Sequence, residues 1–175
     1  MKIVLVFVAT LDGKVTKWGD PLVTSWSSLE DKDYFMGIWN DSKVLLMGST
    51  SYRSTRFKPT EKHLLVVMTR DPSKFENHAV LGQLEFTDES PALLSKRFET
   101  QGLDQMVVVG GPHIATSFLR EQLIDELWLT IEPRIFGTGG NIVTEENLDI
   151  NLKLISCEKV NEQGTLITKY KVLRK

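Results

Sequence analysis

Cysteine and histidine are scarce in this sequence, which has one cysteine, Cys157, and three histidines among 175 residues. A single cysteine excludes an internal disulfide, and its strand-like surroundings favour a small core or sheet residue over a nucleophile or ligand. The histidines (His63, His78 and His113) lack the spacing of metal-binding motifs. The sequence therefore predicts neither a disulfide nor a metal site.

An excess of positive charge and long apolar runs are also missing. The net charge is -2 at pH 7 and the isoelectric point is about 5.9. Binders of nucleic acid or anionic membranes rely on summed positive charge, so both classes are disfavoured. No apolar run approaches the roughly 20 residues that span a bilayer, and the apolar start at 1–8 is too short for a secretion signal. We therefore expect a cytoplasmic protein that binds a small molecule.

The composition that is present is that of a globular protein, with 41% hydrophobic and 25% charged residues. The length suits one domain over residues 1–175. Buried strand patterns alternate with helical patterns, which indicates an α/β fold with a mostly parallel sheet and helices on both faces. Among the predicted strands are 63–68, 79–81 and 84–86. An antiparallel hairpin is predicted at 152–159 and 165–173.

The segment from Met106 to Leu119 joins a valine-rich strand, the pair Gly110 and Gly111, and the start of an amphipathic helix. At such a start, unpaired N–H groups and the positive end of the helix dipole point to one place. This order favours a phosphate site. A tight strand-to-helix connection without a ligand is an equal alternative on these residues alone.

Two more predicted strands end in residues suited to phosphate. One is followed by Gly48-Ser49-Thr50-Ser51, whose hydroxyls are either helix caps or phosphate donors. Another is followed by Thr69 and Arg70, where arginine either clamps a phosphate or lies exposed at a turn. Ligands of α/β sheets bind at the carboxyl ends of the strands, so the three sites reinforce each other. Their spacing differs from the dinucleotide fingerprint G-x-G-x-x-G.

Several motifs together resemble the dihydrofolate reductase-like superfamily, and in particular the reductase domain of bifunctional riboflavin-biosynthesis enzymes and its stand-alone relatives. In chain order they are Ala9-Thr10-Leu11-Asp12-Gly13-Lys14, Trp26-Ser27-Ser28-Leu29-Glu30-Asp31, Met47-Gly48-Ser49-Thr50-Ser51-Tyr52, Val109-Gly110-Gly111-Pro112, Leu123-Ile124-Asp125-Glu126-Leu127 and Glu132-Pro133-Arg134-Ile135-Phe136-Gly137-Thr138-Gly139-Gly140. The resemblance spans nearly the whole chain. Its most specific part is Asp-Glu-Leu followed by the Pro and Gly-x-Gly elements.

The resemblance implies a dihydrofolate reductase-like three-layer sandwich, a homodimer, and an NADPH-dependent reductase that passes a hydride to a small substrate. By motif, the backbone of Val8 and Ala9 would hold the nicotinamide carboxamide, and Thr69 with Arg70 would hold the 2′-phosphate. The pyrophosphate would be held by Gly48, Ser49, Thr50, Ser51, Gly110, Gly111, Pro112, His113, Ile114 and Ala115.

The proton donor and the substrate contacts are open at this stage. Dihydrofolate reductases use one carboxylate on the first helix, which makes Asp31 the candidate acid; the alternative is that Asp31 only caps the helix. Trp26, Ser28 and Val109 are the candidate substrate contacts, although Trp26 equally suits the core. Riboflavin-pathway enzymes often have glutamate at the position of Val109, and related reductases often have arginine at Ser49.

Three functions therefore stay open. One is the reductase of 5-amino-6-(5-phosphoribosylamino)uracil, one is a pterin or dihydrofolate-type reductase, and one is a catalytically altered NADP-binding relative.

Overall fold

The computed structural model describes residues 1–55 and 57–174. Within them the strands are β1 (Lys2–Thr10), β2 (Val44–Gly48), β3 (Leu64–Met68), β4 (Leu84–Thr87), β5 (Gln105–Val108), β6 (Glu126–Glu132), β7 (Asn151–Lys159) and β8 (Leu166–Leu173). The α-helices are α1 (Leu29–Asp41), α2 (Ser49–Thr55), α3 (Pro91–Thr100) and α4 (Pro112–Arg120). Short 3-10 helices cover Val23–Ser25 and Pro72–His78. Among these helices none has the length and apolarity that crossing a bilayer requires.

All eight strands form one sheet in the order β4-β3-β2-β5-β1-β6-β8-β7. The pairs from β4 to β6 are parallel, whereas β8 runs antiparallel to both β6 and β7. A mostly parallel sheet with a C-terminal antiparallel hairpin is the fold that the sequence predicted. The parallel strands all end at one edge, which brings together loops that are distant in sequence.

Helices cover both faces of the sheet, which confirms the predicted three layers. Alternate residues of β1 point to opposite faces. Val4 belongs to the core that contains Trp39 of α1, and Leu5 to the core that contains Phe98 of α3 and Phe118 of α4. Burying each such side chain stabilises the fold by about 1.5–3 kcal/mol.

The structure corrects one strand prediction and decides between the core and the sheet for Cys157. No strand forms at 79–81, because Val80 and Leu84 hydrogen-bond to each other across a tight turn that folds back onto β4. Cys157 is a sheet residue but does not belong to the core. It lies on β7, the outermost strand, whose 9 residues are all exposed.

Candidate active site

A cavity of about 1350 Å³ opens at the carboxyl ends of the parallel strands. Residues at the ends of β1, β2, β3 and β5 line it, together with the first turns of α1, α2 and α4. The polar strand ends that the sequence singled out therefore share one space. A cavity of this size can hold a ligand larger than an ordinary drug-sized molecule.

The glycine turns after β2 and β5 pack directly against each other in this cavity. Gly48 donates its N–H to the carbonyl of Gly110 at 3.2 Å. A Cβ added to Gly48 would lie 3.1 Å from Cγ1 of Ile114, and one added to Gly111 would lie 3.3 Å from Oγ of Ser51. Both separations are tighter than ordinary van der Waals contact. Glycine therefore keeps the two turns close and leaves their backbone accessible to a ligand.

The helix that follows the second turn begins at the cavity. Gly111 is the N-cap of α4, and no side chain of the described residues caps this helix. Pro112 has no N–H to donate, so His113 and Ile114 carry the next backbone donors in the first turn. All of these residues line the cavity. Backbone donors and the helix dipole at this point suit a phosphate group.

The end of β3 adds a positive charge to the cavity wall. Thr69 donates its N–H to the carbonyl of Thr87 at 2.9 Å, which fixes the backbone at this strand end. Arg70 follows, lines the cavity and is exposed. Its planar guanidinium can form two parallel hydrogen bonds to a phosphate monoester. Asp88, which follows Thr87, lines the same region and limits its positive potential.

Asp31 is a buried carboxyl in the wall of the same cavity, with only 5% of its surface exposed. It lies in the first turn of α1, where its own N–H donates to Oγ of Ser28 at 3.2 Å. Ser28 is thus the N-cap, three residues before an acidic residue, which is the spacing of a capping box. The cap is the serine, so the Asp31 side chain is not occupied by capping.

Burial raises the pKa of the Asp31 carboxyl above its ordinary value. The hydroxyls of Thr130 and Ser27 and the positive charge of Lys32 act in the opposite direction, while the negative charge of Glu132 raises the pKa further. A raised pKa increases the fraction of Asp31 that carries a proton near neutral pH. This is the property that a proton donor requires.

Tyr34 is a residue of the cavity wall that no sequence motif indicated. It lies three residues after Asp31, so both side chains are on the same side of the helix. Burial, with the charge of Asp31, raises the pKa of Tyr34 to about 12. Its hydroxyl is buried and has no hydrogen-bond partner among the described residues. Such a hydroxyl costs about 1–3 kcal/mol unless a ligand pairs with it.

Another part of the wall consists of two loops that Asp12 holds together. Its carboxylate accepts the N–H groups of Phe136 at 3.2 Å and Gly137 at 2.8 Å, and also the hydroxyl of Thr10. These hydrogen bonds hold the pKa of Asp12 below its ordinary value, with the Thr10 hydroxyl as the largest cause. The turn residue of the first motif thus fixes the glycine loop of the last one.

The structure brings most of the predicted site residues to this cavity. Those that line it are Val8, Asp31, Gly48, Ser49, Thr50, Ser51, Thr69, Arg70, Val109, Gly110, Gly111, Pro112, His113 and Ile114.

Four predicted residues lie elsewhere. Ala9 and Ala115 are buried in β1 and α4. Trp26 is 2% exposed and packs edge-on against Phe136, with ring centroids 5.1 Å apart, as the alternative core assignment had it. Ser28 faces a second, smaller cavity.

The fold is that of a dihydrofolate reductase-like domain, with the cavity at the carboxyl ends of its parallel strands. The family model "RibD C-terminal domain" matches residues 1–166, and the chain belongs to that family. This confirms the resemblance inferred from the motifs, and family and fold together support a reductase of the riboflavin-biosynthesis type.

The chain is similar to other proteins over most of its length. A Bacillus subtilis protein, YyaP, is 25% identical over 170 residues, which is 89% of this chain and 87% of YyaP. A pyrimidine reductase-like protein from Corynebacterium diphtheriae has a TM-score of 0.80 at 14% identity, covering 99% of this chain and 92% of that one.

A diaminohydroxyphosphoribosylaminopyrimidine deaminase/5-amino-6-(5-phosphoribosylamino)uracil reductase from Thermotoga maritima has a TM-score of 0.74 at 17% identity. The match covers 97% of this chain and 56% of the Thermotoga chain. At these identities the two solved structures establish the shared fold.

Proposed function

We propose that the protein is a cytoplasmic NADPH-dependent reductase that transfers a hydride to a small heterocyclic substrate. One observation carries this proposal: the glycine turns, the arginine-bearing strand end and the buried Asp31 carboxyl all line one cavity. NADPH, when bound, supplies the hydride from C4 of its nicotinamide ring. The residues of the chain bind the cofactor, orient the substrate and hold a proton.

The residues present fit this cofactor. The N–H groups at the start of α4 and the polar groups at Gly48, Ser49, Thr50 and Ser51 would hold the pyrophosphate. Thr69 and Arg70 would hold the 2′-phosphate, and the backbone of Val8, which lines the cavity as Ala9 does not, would hold the carboxamide. The absence of side chains at the paired glycine turns supports this fit, because a Cβ at either turn would crowd its neighbour.

In the same proposal, Asp31 delivers the proton that follows the hydride. Burial keeps its carboxyl protonated to a higher pH than a carboxyl in water. Tyr34 also lines the cavity, one turn of the helix after Asp31, so its side chain would border the substrate.

The family suggests two classes of substrate. The substrate closest to the family's chemistry is 5-amino-6-(5-phosphoribosylamino)uracil, and the alternative is a pterin or dihydrofolate. Val109 lines the cavity where riboflavin-pathway enzymes often have glutamate, and a valine cannot contact ribose hydroxyls as a carboxylate does. This observation also keeps a catalytically altered NADP-binding relative as the second candidate function.

The first test compares melting temperatures with NADPH and NADH. NADPH at 100 times its dissociation constant would stabilise the fold by about 2.7 kcal/mol. For a chain of this size that is a rise of roughly 5–11 °C. A rise with NADPH and little with NADH is expected; an unchanged melting curve with NADPH would contradict the proposal.

The second test is turnover. Oxidation of NADPH is followed with the phosphoribosylamino-uracil, with dihydrofolate and with smaller pyrimidines and pterins, for the native protein and for Asp31→Asn. Turnover of one compound that Asp31→Asn abolishes while still binding NADPH would support the reductase. Binding without turnover across the panel would favour the altered relative.

We also propose a homodimer that forms along β7. All residues of this nine-residue edge strand are exposed, and Leu152, Leu154 and Ile155 are 43%, 52% and 53% exposed. A long apolar edge strand offers unpaired backbone groups to another strand, and proteins normally cover such an edge. A second copy of β7 satisfies both the backbone and the aliphatic side chains.

A further inference from the structure

Glu132 is a buried carboxylate that the proposed reaction does not use. It is the last residue of β6 and is 2% exposed. It pairs in register with Thr10 of β1, next to the loops that border the cavity. Burying a charge is costly unless hydrogen bonds compensate, so its partners indicate its role.

Both carboxylate oxygens of Glu132 accept hydrogen bonds from other elements. Oε1 accepts the N–H of Ser28 at 2.7 Å, and Oε2 accepts the hydroxyl of Thr165 at 2.8 Å. Ser28 is the N-cap of α1, and its Oγ in turn accepts the N–H of Asp31. A continuous chain of hydrogen bonds therefore runs from Thr165, before β8, through Glu132 to the backbone of Asp31.

The far end of this chain is fixed by the turn between β7 and β8. Asn161 donates to Oγ1 of Thr165 at 2.9 Å and to Oε2 of Glu30 at 3.1 Å. The side-chain Oδ1 of Asn161 accepts the N–H groups of Gly164 and Thr165. The start of α1 is thus attached to the terminal hairpin at two residues. Ser28 is linked to Thr165 through Glu132, and Glu30, which directly precedes Asp31, is bonded to Asn161.

We propose that Glu132 is a positioning residue for Asp31: it anchors the first turn of α1 and places a second buried negative charge near the Asp31 carboxyl. This inference rests on the proposed role of Asp31 as proton donor. Among the described residues, other groups that act on that carboxyl are Lys32 and Tyr34 on α1, Ser27 before it and Thr130 on β6. A neighbouring negative charge disfavours the ionised form of a carboxyl. Loss of the Glu132 charge should therefore favour ionised Asp31.

The charge is tested with Glu132→Gln and a control, Thr165→Val, which removes one hydrogen bond but keeps the charge. The Asp31 carboxyl is titrated by carbon NMR in labelled protein, with Asp31→Asn providing the assignment. The expected result is a lower Asp31 pKa in Glu132→Gln and an unchanged one in Thr165→Val. If both variants lose thermal stability but the Asp31 titration stays in place, Glu132 is only structural and the proposal fails.

The anchor is tested separately with Glu132→Asp, which keeps the charge but cannot reach Ser28 and Thr165 together. Amide exchange at Ser28 and Asp31 should become faster in this variant, and unchanged protection would overturn the anchoring role. This test remains decisive if Glu132→Gln does not fold. Both measurements use the protein without cofactor or substrate, so their failure is distinct from a failure to bind or oxidise NADPH.

Discussion

Replacing Gly139 by alanine is expected to force apart the two loops that form one wall of the cavity. Gly139 has a φ of +141°, and a Cβ there would lie 2.2 Å from the carbonyl oxygen of Thr16. The overlap is with backbone, so a loop must move. Two hydrogen bonds span this point, from Val15 N–H to the Gly140 carbonyl at 2.8 Å and from Gly140 N–H to Oγ1 of Thr16 at 2.7 Å.

The expected loss of stability follows from these contacts. Holding alanine in a left-handed conformation costs about 1–2 kcal/mol. Losing the two hydrogen bonds removes roughly 1 kcal/mol each. A total of about 3–4 kcal/mol corresponds, for a domain of this size, to a fall in melting temperature of roughly 6–16 °C.

Gly137→Ala is the matched control for Gly139→Ala. Gly137 also has a positive φ, +73°, but a Cβ there would meet nothing within 4 Å. Only the conformational strain of about 1–2 kcal/mol is expected, and a fall of roughly 2–8 °C by circular dichroism. Because Thr16 and Gly139 line the cavity, stabilisation by NADPH should also weaken in Gly139→Ala and persist in Gly137→Ala. Equal losses in both variants would refute the reasoning from the loop contact.

Three further predictions concern charge and assembly. Arg70→Ala should lower the affinity for NADPH by roughly 10–150-fold in calorimetry, because about 1.5–3 kcal/mol of charged hydrogen bonding is lost. The affinity for NADH should not change, and Arg134→Ala serves as the control. An equal loss of affinity for both cofactors would count against the role of Arg70. Because the pKa of Asp31 is raised, the folded state binds the carboxyl proton more tightly than the unfolded state does. The stability that this proton contributes is therefore lost as the pH rises above 3.8, the ordinary pKa of an Asp carboxyl. Asp31→Asn should therefore gain melting temperature relative to the native protein as pH rises towards neutrality, and a constant difference would contradict the raised pKa. Leu154→Glu with Ile155→Glu should convert a dimer into a monomer by light scattering, whereas an unchanged mass would exclude β7 as the interface.

The half of the cavity that contains the glycine turns could be predicted from sequence because each part is local. A valine-rich strand, two glycines and a helix start are contiguous at Met106 to Leu119, and parallel strand ends meet at one edge by topology alone. The cap of α1 is also local, since Ser28 and Asp31 have the spacing of a capping box. Local patterns are therefore sufficient to locate the glycine turns and the Asp31 carboxyl.

The other half depends on contacts between distant segments, which local patterns do not encode. Glu132 is the last residue of β6 and precedes a proline and a glycine-rich segment, where a charged residue is normally exposed. It is buried because Thr165 and Ser28 supply donors from two other elements. Trp26 is likewise buried by Phe136, a contact that no spacing rule provides.

The position of Val109 bears on how the substrate is chosen. Val109 directly precedes the glycine turn after β5, and it lines the cavity. Its N–H donates to the carbonyl of Leu46 at 2.8 Å, so the sheet fixes its backbone whichever side chain it carries. A glutamate or a valine can therefore occupy this position without displacing Gly110 and Gly111. In the proposed function, the substrate contact at this position can therefore differ between proteins while the glycine turns keep their geometry.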